Sequence, residues 1–583
     1  MSSALRSSLL VTVLAVLATA CGGGGGGSKT APSQQQTPAH AKTGGELRFL
    51  YSGDVDNIDP GITYYTGGYL IVSATQRPLV NYKPDSPTQP VPDLAQALPE
   101  VSADNKTVTV KLRTGVKFSP PVNRDITSAD VKYGIERAFF KTVNNGYAGV
   151  YFGDIEGAKT GVAPGTEISG IQTPDPQTIV FKLTRPAGGV LAAALTMPIA
   201  APVPRDYALP FDRHSPSTYG PHQVASGPYM IANDAQGNAT GYRAGREIRL
   251  VRNPNWDKAT DYKPAYLDSI DVREGNKDTT VASRQVLTGS HMASGEFPVP
   301  GPVIKEALSR NKDQLALVPT GGIDYIPLNT AIPPFDDINV RKAVIAGFNR
   351  DAVRLTQGGK VRGPLATHFI PPSLPGFHQA GGENGPGLDF LARRQGDPQL
   401  AAEYFRKAGY ASGRYEGNVT LFVPTIDTPT YRDEGEVAQR NFEQLGFKVK
   451  LRFVSNDVFY TQYCQVPARK ANACVGWSWY KDFPDPQTML DVTFNGAAIQ
   501  TQGNSNFPQL KVPAIDAAMK KAETLAAPAE RAAAWGEIDK QVVAQAPAIP
   551  GTWLNQPIVR SKDVVGVANP VLTGWDLTFT SLR

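Results

Sequence analysis

The chain has 583 residues, 41% of them hydrophobic and 19% charged, an ordinary globular composition long enough for two or three core-bearing units. Its formal net charge is only +5, and Lys and Arg are interspersed with Asp and Glu instead of forming runs. That excludes a basic nucleic-acid track as the basis of its function.

In chain order, the first signal is Arg6 followed by an apolar stretch, Leu9 to Leu17, too short to span a bilayer. It ends in Leu17-Ala18-Thr19-Ala20-Cys21, small residues landing on a cysteine, which resembles the lipobox of bacterial lipoproteins. Residues 1–20 are therefore expected to be a lipoprotein signal peptide and Cys21 the lipidated new N-terminus. The six glycines Gly22 to Gly27 and the Pro/Gln/Thr/Ala-rich run after them cannot bury enough apolar surface to offset ordering, so 21–44 is expected to be a flexible tether. A phosphate loop is a poor reading of these glycines, because no strand precedes them and no Lys-Ser/Thr follows.

Ordered structure is predicted to start with a strand at 45–50. A second strand is predicted at 107–112, where Val108, Val110 and Leu112 alternate with Thr109 and Lys111. Thr127-Ser128-Ala129-Asp130 predicts a capped helix start, and Val131, Ile135, Ala138 and Phe139 give that helix one apolar face. Asp397-Pro398 opens another helix, which Gly409 closes. Residues 418–423, 431–445 and 447–454 read as strand, helix and strand, a βαβ crossover with parallel strands. Ligands bind beyond the carboxyl ends of such strands, which points to 424–427 and the turn after Val454 as cleft walls. Two helices, 514–525 and 529–544, precede Pro547 and Pro550, and a return strand is predicted at 552–559.

Several segments in this order resemble family 5 bacterial solute-binding proteins, the oligopeptide-, dipeptide- and nickel-binding group. They are Val91-Pro92-Asp93-Leu94-Ala95, Gly115-Val116-Lys117-Phe118, the Thr-Ser-Ala-Asp-Val helix start, Ser226-Gly227-Pro228-Tyr229, Val251-Arg252-Asn253-Pro254-Asn255-Trp256, Pro334-Phe335-Asp336-Asp337 with Val340-Arg341-Lys342-Ala343, and Trp479 to Asp482 with Pro484-Asp485-Pro486. Ser119 to Asn123 departs from the usual Asp-Gly turn, a surface difference. The resemblance implies an α/β, periplasmic-binding-protein-like two-lobed hinge fold with an additional inserted lobe. Lobe I would comprise 45–84, 213–328 and the C-terminal return 547–583; lobe II would be 85–212 and lobe III 329–546. It further implies a monomeric extracytoplasmic lipoprotein, anchored through Cys21, that captures short peptides for ABC permease subunits. The same fold could instead take an oligosaccharide, an opine or a metal chelate, or report to a sensor.

The resemblance also implies that Asp482, three positions after Trp479, holds a ligand ammonium, a role suited to a desolvated, charge-assisted hydrogen bond. The competing reading of Asp482 is a turn cap, a task that suits Asp485 better. Trp477, Trp479 and Tyr480 are candidate cleft walls, with one tryptophan of the alternating pair equally suited to the core. Tyr64, Tyr65 and Tyr69 lie in the early loop that often faces the cleft in this family; packing under the loop is the alternative. Cys464 and Cys474 remain after Cys21, an even pair that suggests a disulfide in an oxidising compartment. No Cys-x-x-Cys or paired histidines supply a metal site, and the six histidines read as solvated loop residues. No catalytic signature is present, and no cofactor is expected.

Overall fold

Val108 and Val110 point into a core while Thr107 and Thr109 are half-exposed, so the alternation sets the strand Thr107–Lys111 with one face covered. The computed structural model describes residues 41–53, 55–295, 297–572 and 574–583. The signal-like segment, Cys21, the glycine run and His40 lie outside them. Thr107–Lys111 joins a four-stranded antiparallel sheet with Glu100–Val101, Thr178–Lys182 and Ile171–Asp175. The helix Ser128–Arg137 packs on it through Val131 and Ile135, and Ala138 and Phe139 just beyond its end are buried as well. Its start is closed by Asp130, whose carboxylate accepts from the Thr127 backbone N–H at 2.8 Å and its hydroxyl at 3.0 Å.

A second, six-stranded sheet is built around Glu46–Leu50, which pairs in parallel with Ser269–Arg273 and Met292–Ser294. Glu247–Arg252, Tyr229–Ile231 and Tyr242–Arg243 extend it. Its core gathers Leu47, Phe49, Ile248 and Ile270 with Val318, Ile558, Trp575 and Leu582, so the chain's end returns to its beginning. Lys42 and Ser581 close that return with a 2.8 Å hydrogen bond.

The predicted crossover is present: Thr420–Ile426 and Lys448–Val454 pair in parallel, joined by the helix Pro429–Gln444. Helices Pro513–Ala522 and Pro528–Ala544 follow. The return strand is longer than its prediction, Ala548–Val559, because the prolines at 550 and 557 sit comfortably in extended chain. It pairs antiparallel with Leu315–Pro327, which also carries Ser478–Tyr480 on its other edge. Among the described residues no helix is long and apolar enough to cross a membrane.

One expectation is corrected here. His368 is not a solvated loop residue: it is fully buried, with Nδ1 2.9 Å from Asp539 Oδ2 and Nε2 3.1 Å from the Gly382 carbonyl. A buried imidazole needs two polar partners, and the geometry makes this one a structural tie between the 366–370 segment and the 528–544 helix.

Candidate functional site

The Ser478–Tyr480 strand delivers Lys481 and Asp482 to the rim of a cavity of about 190 Å³. The six side chains expected at the site, Tyr64, Tyr65, Trp477, Trp479, Tyr480 and Asp482, all line this one cavity. Ile426 and Asn456, at the carboxyl ends of the two parallel crossover strands, line it as well, where the switch-point argument places a ligand.

Asp482 is the charged centre. Its Oδ2 accepts from the Tyr64 hydroxyl at 3.0 Å and the Tyr151 hydroxyl at 2.5 Å. The residue keeps a part of its surface toward the cavity, yet protein atoms close around the carboxylate. Burial pushes its pKa up to about 7, against the two tyrosine hydrogen bonds, which favour the charged form. The same burial, with the negative charge of Asp482 beside them, holds the Tyr64 and Tyr151 hydroxyls well above their usual range, so both remain donors. The turn role belongs to Asp485, which accepts from the Gln487 backbone N–H at 2.8 Å and receives Arg531 through two hydrogen bonds of 2.7 and 2.8 Å.

The tryptophans stack. Trp477 and Trp479 alternate along the chain and share a face, their rings 6.1 Å apart at 26°. Both are largely buried and both reach the cavity wall, so the choice between core and wall does not arise. Trp479 donates its indole N–H to the Thr488 carbonyl at 2.7 Å and meets Tyr64 edge-on at 5.9 Å. Trp477 packs on Tyr460 at 5.0 Å, and Tyr460 on Tyr65 at 5.3 Å. Tyr480 lays its ring over Gly322, where a Cβ would come within 2.4 Å of its Cδ1.

The tyrosine loop is held from below. Asp56 accepts from the Thr63 hydroxyl and the Tyr64 backbone N–H, each at 2.6 Å. Gly68 must lack a side chain, since a Cβ there would sit 1.9 Å from Thr63 Oγ1. Asp59 is tied to the Ser128–Arg137 helix by Arg137 at 2.6 and 2.8 Å, and Arg137 also binds Asp212 at 2.6 and 2.9 Å. Removing one member of such a buried set strands a charge, which makes the loop's placement rigid.

Cys464 and Cys474 are bonded, with their Cα atoms 6.3 Å apart, and connect the turn carrying Tyr460 to the stretch leading into Trp477. Among the described residues no group of three or more His, Cys, Asp or Glu side chains could hold a metal ion. Tyr69, expected with Tyr64 and Tyr65, lines the cavity too; Tyr151, Tyr431, Tyr460 and Lys481 belong to the site and were missed in the sequence. Tyr147 and Tyr151, one helical turn apart, were the only local sign of Tyr151.

Comparison with known proteins adds the family. The model "Bacterial extracellular solute-binding proteins, family 5 Middle" matches residues 89–501. The chain is 25% identical over 427 residues to the "Dipeptide-binding protein" of Escherichia coli (strain K12), covering 72% of each. It superposes with a TM-score of 0.76 on the "Clavulanic acid biosynthesis oligopeptide binding protein 2", 26% identical, covering 93% of this chain and 96% of that one. It is also similar in fold, TM-score 0.73 at 21% identity and covering 92% and 99%, to the PBP AgaA of A. tumefaciens R10 in complex with agropinic acid.

Proposed function

This chain belongs to the family 5 bacterial extracellular solute-binding proteins, with their two-lobed α/β hinge fold, and from that premise we propose that it captures short peptides by their free amino end. The observation that carries the reading is Asp482: a carboxylate set among aromatic rings, whose direct partners among the described residues are two tyrosine hydroxyls. A terminal ammonium would supply the missing countercharge, and a charge-assisted hydrogen bond in a dry site is the strong kind. The aromatic walls offer apolar area with polar edges, which suits side chains of varied size. The site binds and releases; it does not transform its ligand.

The finer assignments follow from the same premise. The chain works as a monomer outside the cytoplasm, tethered to the membrane by a lipid on Cys21, and passes its ligand to ABC permease subunits. Residues 45–84, 213–328 and 547–583 form the lobe that stays with the tether, and 85–212 and 329–546 the other two. A second reading has one observation behind it, the agropinic acid held by a protein of the same fold. A thermal-shift screen against di- to pentapeptides, oligosaccharides, opines and Ni²⁺ complexes separates the two. A true ligand at about 100 times its dissociation constant adds roughly 2.7 kcal/mol. Stabilisation by opines or sugars with none by peptides would reject the peptide reading.

A further inference from the structure

Arg185 ties together two parts of the molecule that are distant in the chain. It follows the strand Thr178–Lys182 of the four-stranded sheet, and Asp154 of the same part orients it. Arg185 Nε donates to Asp154 Oδ1 at 2.6 Å, and Nη2 stands 2.5 Å from Oδ2. The same Nη2 pairs with the carboxylate of Glu523, at the C-terminal end of the helix Pro513–Ala522. Only 25% of the Arg185 side chain and 9% of the Glu523 side chain are exposed.

Glu523 does not stand alone. Its carboxyl is hydrogen-bonded to that of Asp491, on the buried helix Gln487–Phe494, where Gln487 and Asn495 donate to Asp491 at 3.0 and 2.7 Å. Two carboxyls share a hydrogen bond only with a proton between them, so the pair holds one proton and one negative charge. Burial pushes the pKa of both acids up, and at Glu523 the Asp491 charge adds to that effect while Arg185 opposes it. Arg531, packed on the same turn, gives N–H groups to the Ala522 and Glu523 carbonyls and its charge to Asp485. Among the described residues, the countercharge that reaches the carboxyl pair is therefore Arg185. Arg185, Asp491 and Glu523 do not line the cavity at Asp482. Another tie between the same two parts, the Tyr151 hydroxyl on Asp482, is made on the cavity's own carboxylate.

We propose that Arg185 and the Glu523–Asp491 pair form a latch between the 85–212 and 329–546 lobes, which sets how readily the cleft closes and not which ligand it selects. Opening the cleft would leave Arg185 with Asp154 alone and strip the carboxyl pair of its countercharge. A contact made in one state only biases the equilibrium toward that state by its own free energy. Every ligand that needs the closed state is then held more tightly by one common factor. A latch outside the cavity does not depend on the peptide reading; it depends on the two lobes moving separately.

Small-angle X-ray scattering on the mature chain without ligand tests this. Arg185→Met and Glu523→Gln should each raise the radius of gyration above that of the parent, and the two together should raise it little further, because both delete one contact. Arg185→Lys keeps the charge but not the fork, and should fall between parent and Arg185→Met. Should Arg185→Met not fold, Glu523→Gln, which keeps the size of the side chain, decides. Equal scattering by the parent and the variants would overturn the latch, whatever the ligand is. Calorimetry with alanine peptides two to five residues long supplies the second arm. For each peptide that binds the parent, Arg185→Met should weaken binding by roughly tenfold, with the ratios between peptides unchanged. Ratios that change would make Arg185 a recognition residue and overturn the latch while leaving the peptide reading intact. If no alanine peptide binds, the peptide reading falls, and the scattering alone decides on the latch.

Discussion

Asp482 carries a proton in part of the neutral range, and that has two consequences of opposite sign. Its pKa of about 7 lies above the roughly 3.9 of an unfolded aspartate, so between those values the folded chain holds more protons than the unfolded one. The stability this contributes is complete below about pH 4 and is lost as the pH rises through 7. Asp482→Asn removes that dependence. Melting curves without ligand at about pH 5 and about pH 8 should therefore shift in the variant's favour at the higher pH. A parent-to-variant difference that does not move with pH would show that the carboxylate is already ionised. Ligand binding runs the other way, because an ammonium needs the carboxylate charged. At about pH 6, binding should release a proton, visible as a dependence of the calorimetric heat on the buffer's own ionisation enthalpy. Of the charged pair at the site, only Asp482 was legible in the sequence, through its spacing from Trp479. Lys481 carries no motif, and its burial, with Nζ donating to the Thr320 and Pro570 carbonyls, is something only tertiary structure reveals.

At the scale of elements, legibility followed locality. The crossover from 420 to 454 was readable because a strand of period two, a helix of period 3.6 and a stopping glycine at 446 sit side by side. The strand Leu315–Pro327 was not, since Pro319, Gly321 and Gly322 interrupt its pattern and its register shifts there. The hydrogen bond from Tyr151 to Asp482 spans 331 residues, beyond any local signal. The disulfide acts at this scale too. It closes a short loop, Cys464 to Cys474, a separation of 10 residues, and braces the wall formed by Tyr460 and Trp477. The paired substitution of both cysteines by serine should cost about 2–3 kcal/mol in the chain-entropy account and lower the melting temperature accordingly. Labelling the denatured, unreduced protein with a thiol reagent checks the bond itself. Two reactive thiols from positions 464 and 474 would contradict it.

For the molecule as a whole, the site is assembled from stretches that no single segment could bring together: the 64–73 loop and helix, Tyr151 at the end of the short helix Ala148–Tyr151, the crossover ends and the 477–482 segment around the strand Ser478–Tyr480. Only a ligand that touches more than one of these can shift a hinge equilibrium, because differential affinity is what favours one state over the other. Outside the described residues, the proposed lipid anchor makes its own prediction. Replacing Cys21 by alanine should move the protein from the membrane fraction to the soluble one without changing its melting temperature, and continued membrane partitioning would rule the anchor out.

The most direct test of peptide capture through Asp482 is a thermodynamic cycle by calorimetry. It crosses the parent and Asp482→Asn with a free-amino peptide and its N-acetylated form. Asparagine keeps the size and one acceptor oxygen while deleting the charge, and acetylation deletes the matching charge on the ligand. Each change alone should cost about 2–5 kcal/mol, the range for breaking a buried charge pair. The two together should cost little more than one, because both remove a single interaction. Unchanged affinity in Asp482→Asn, with lowered thermal stability, would contradict the account and return Asp482 to a structural role.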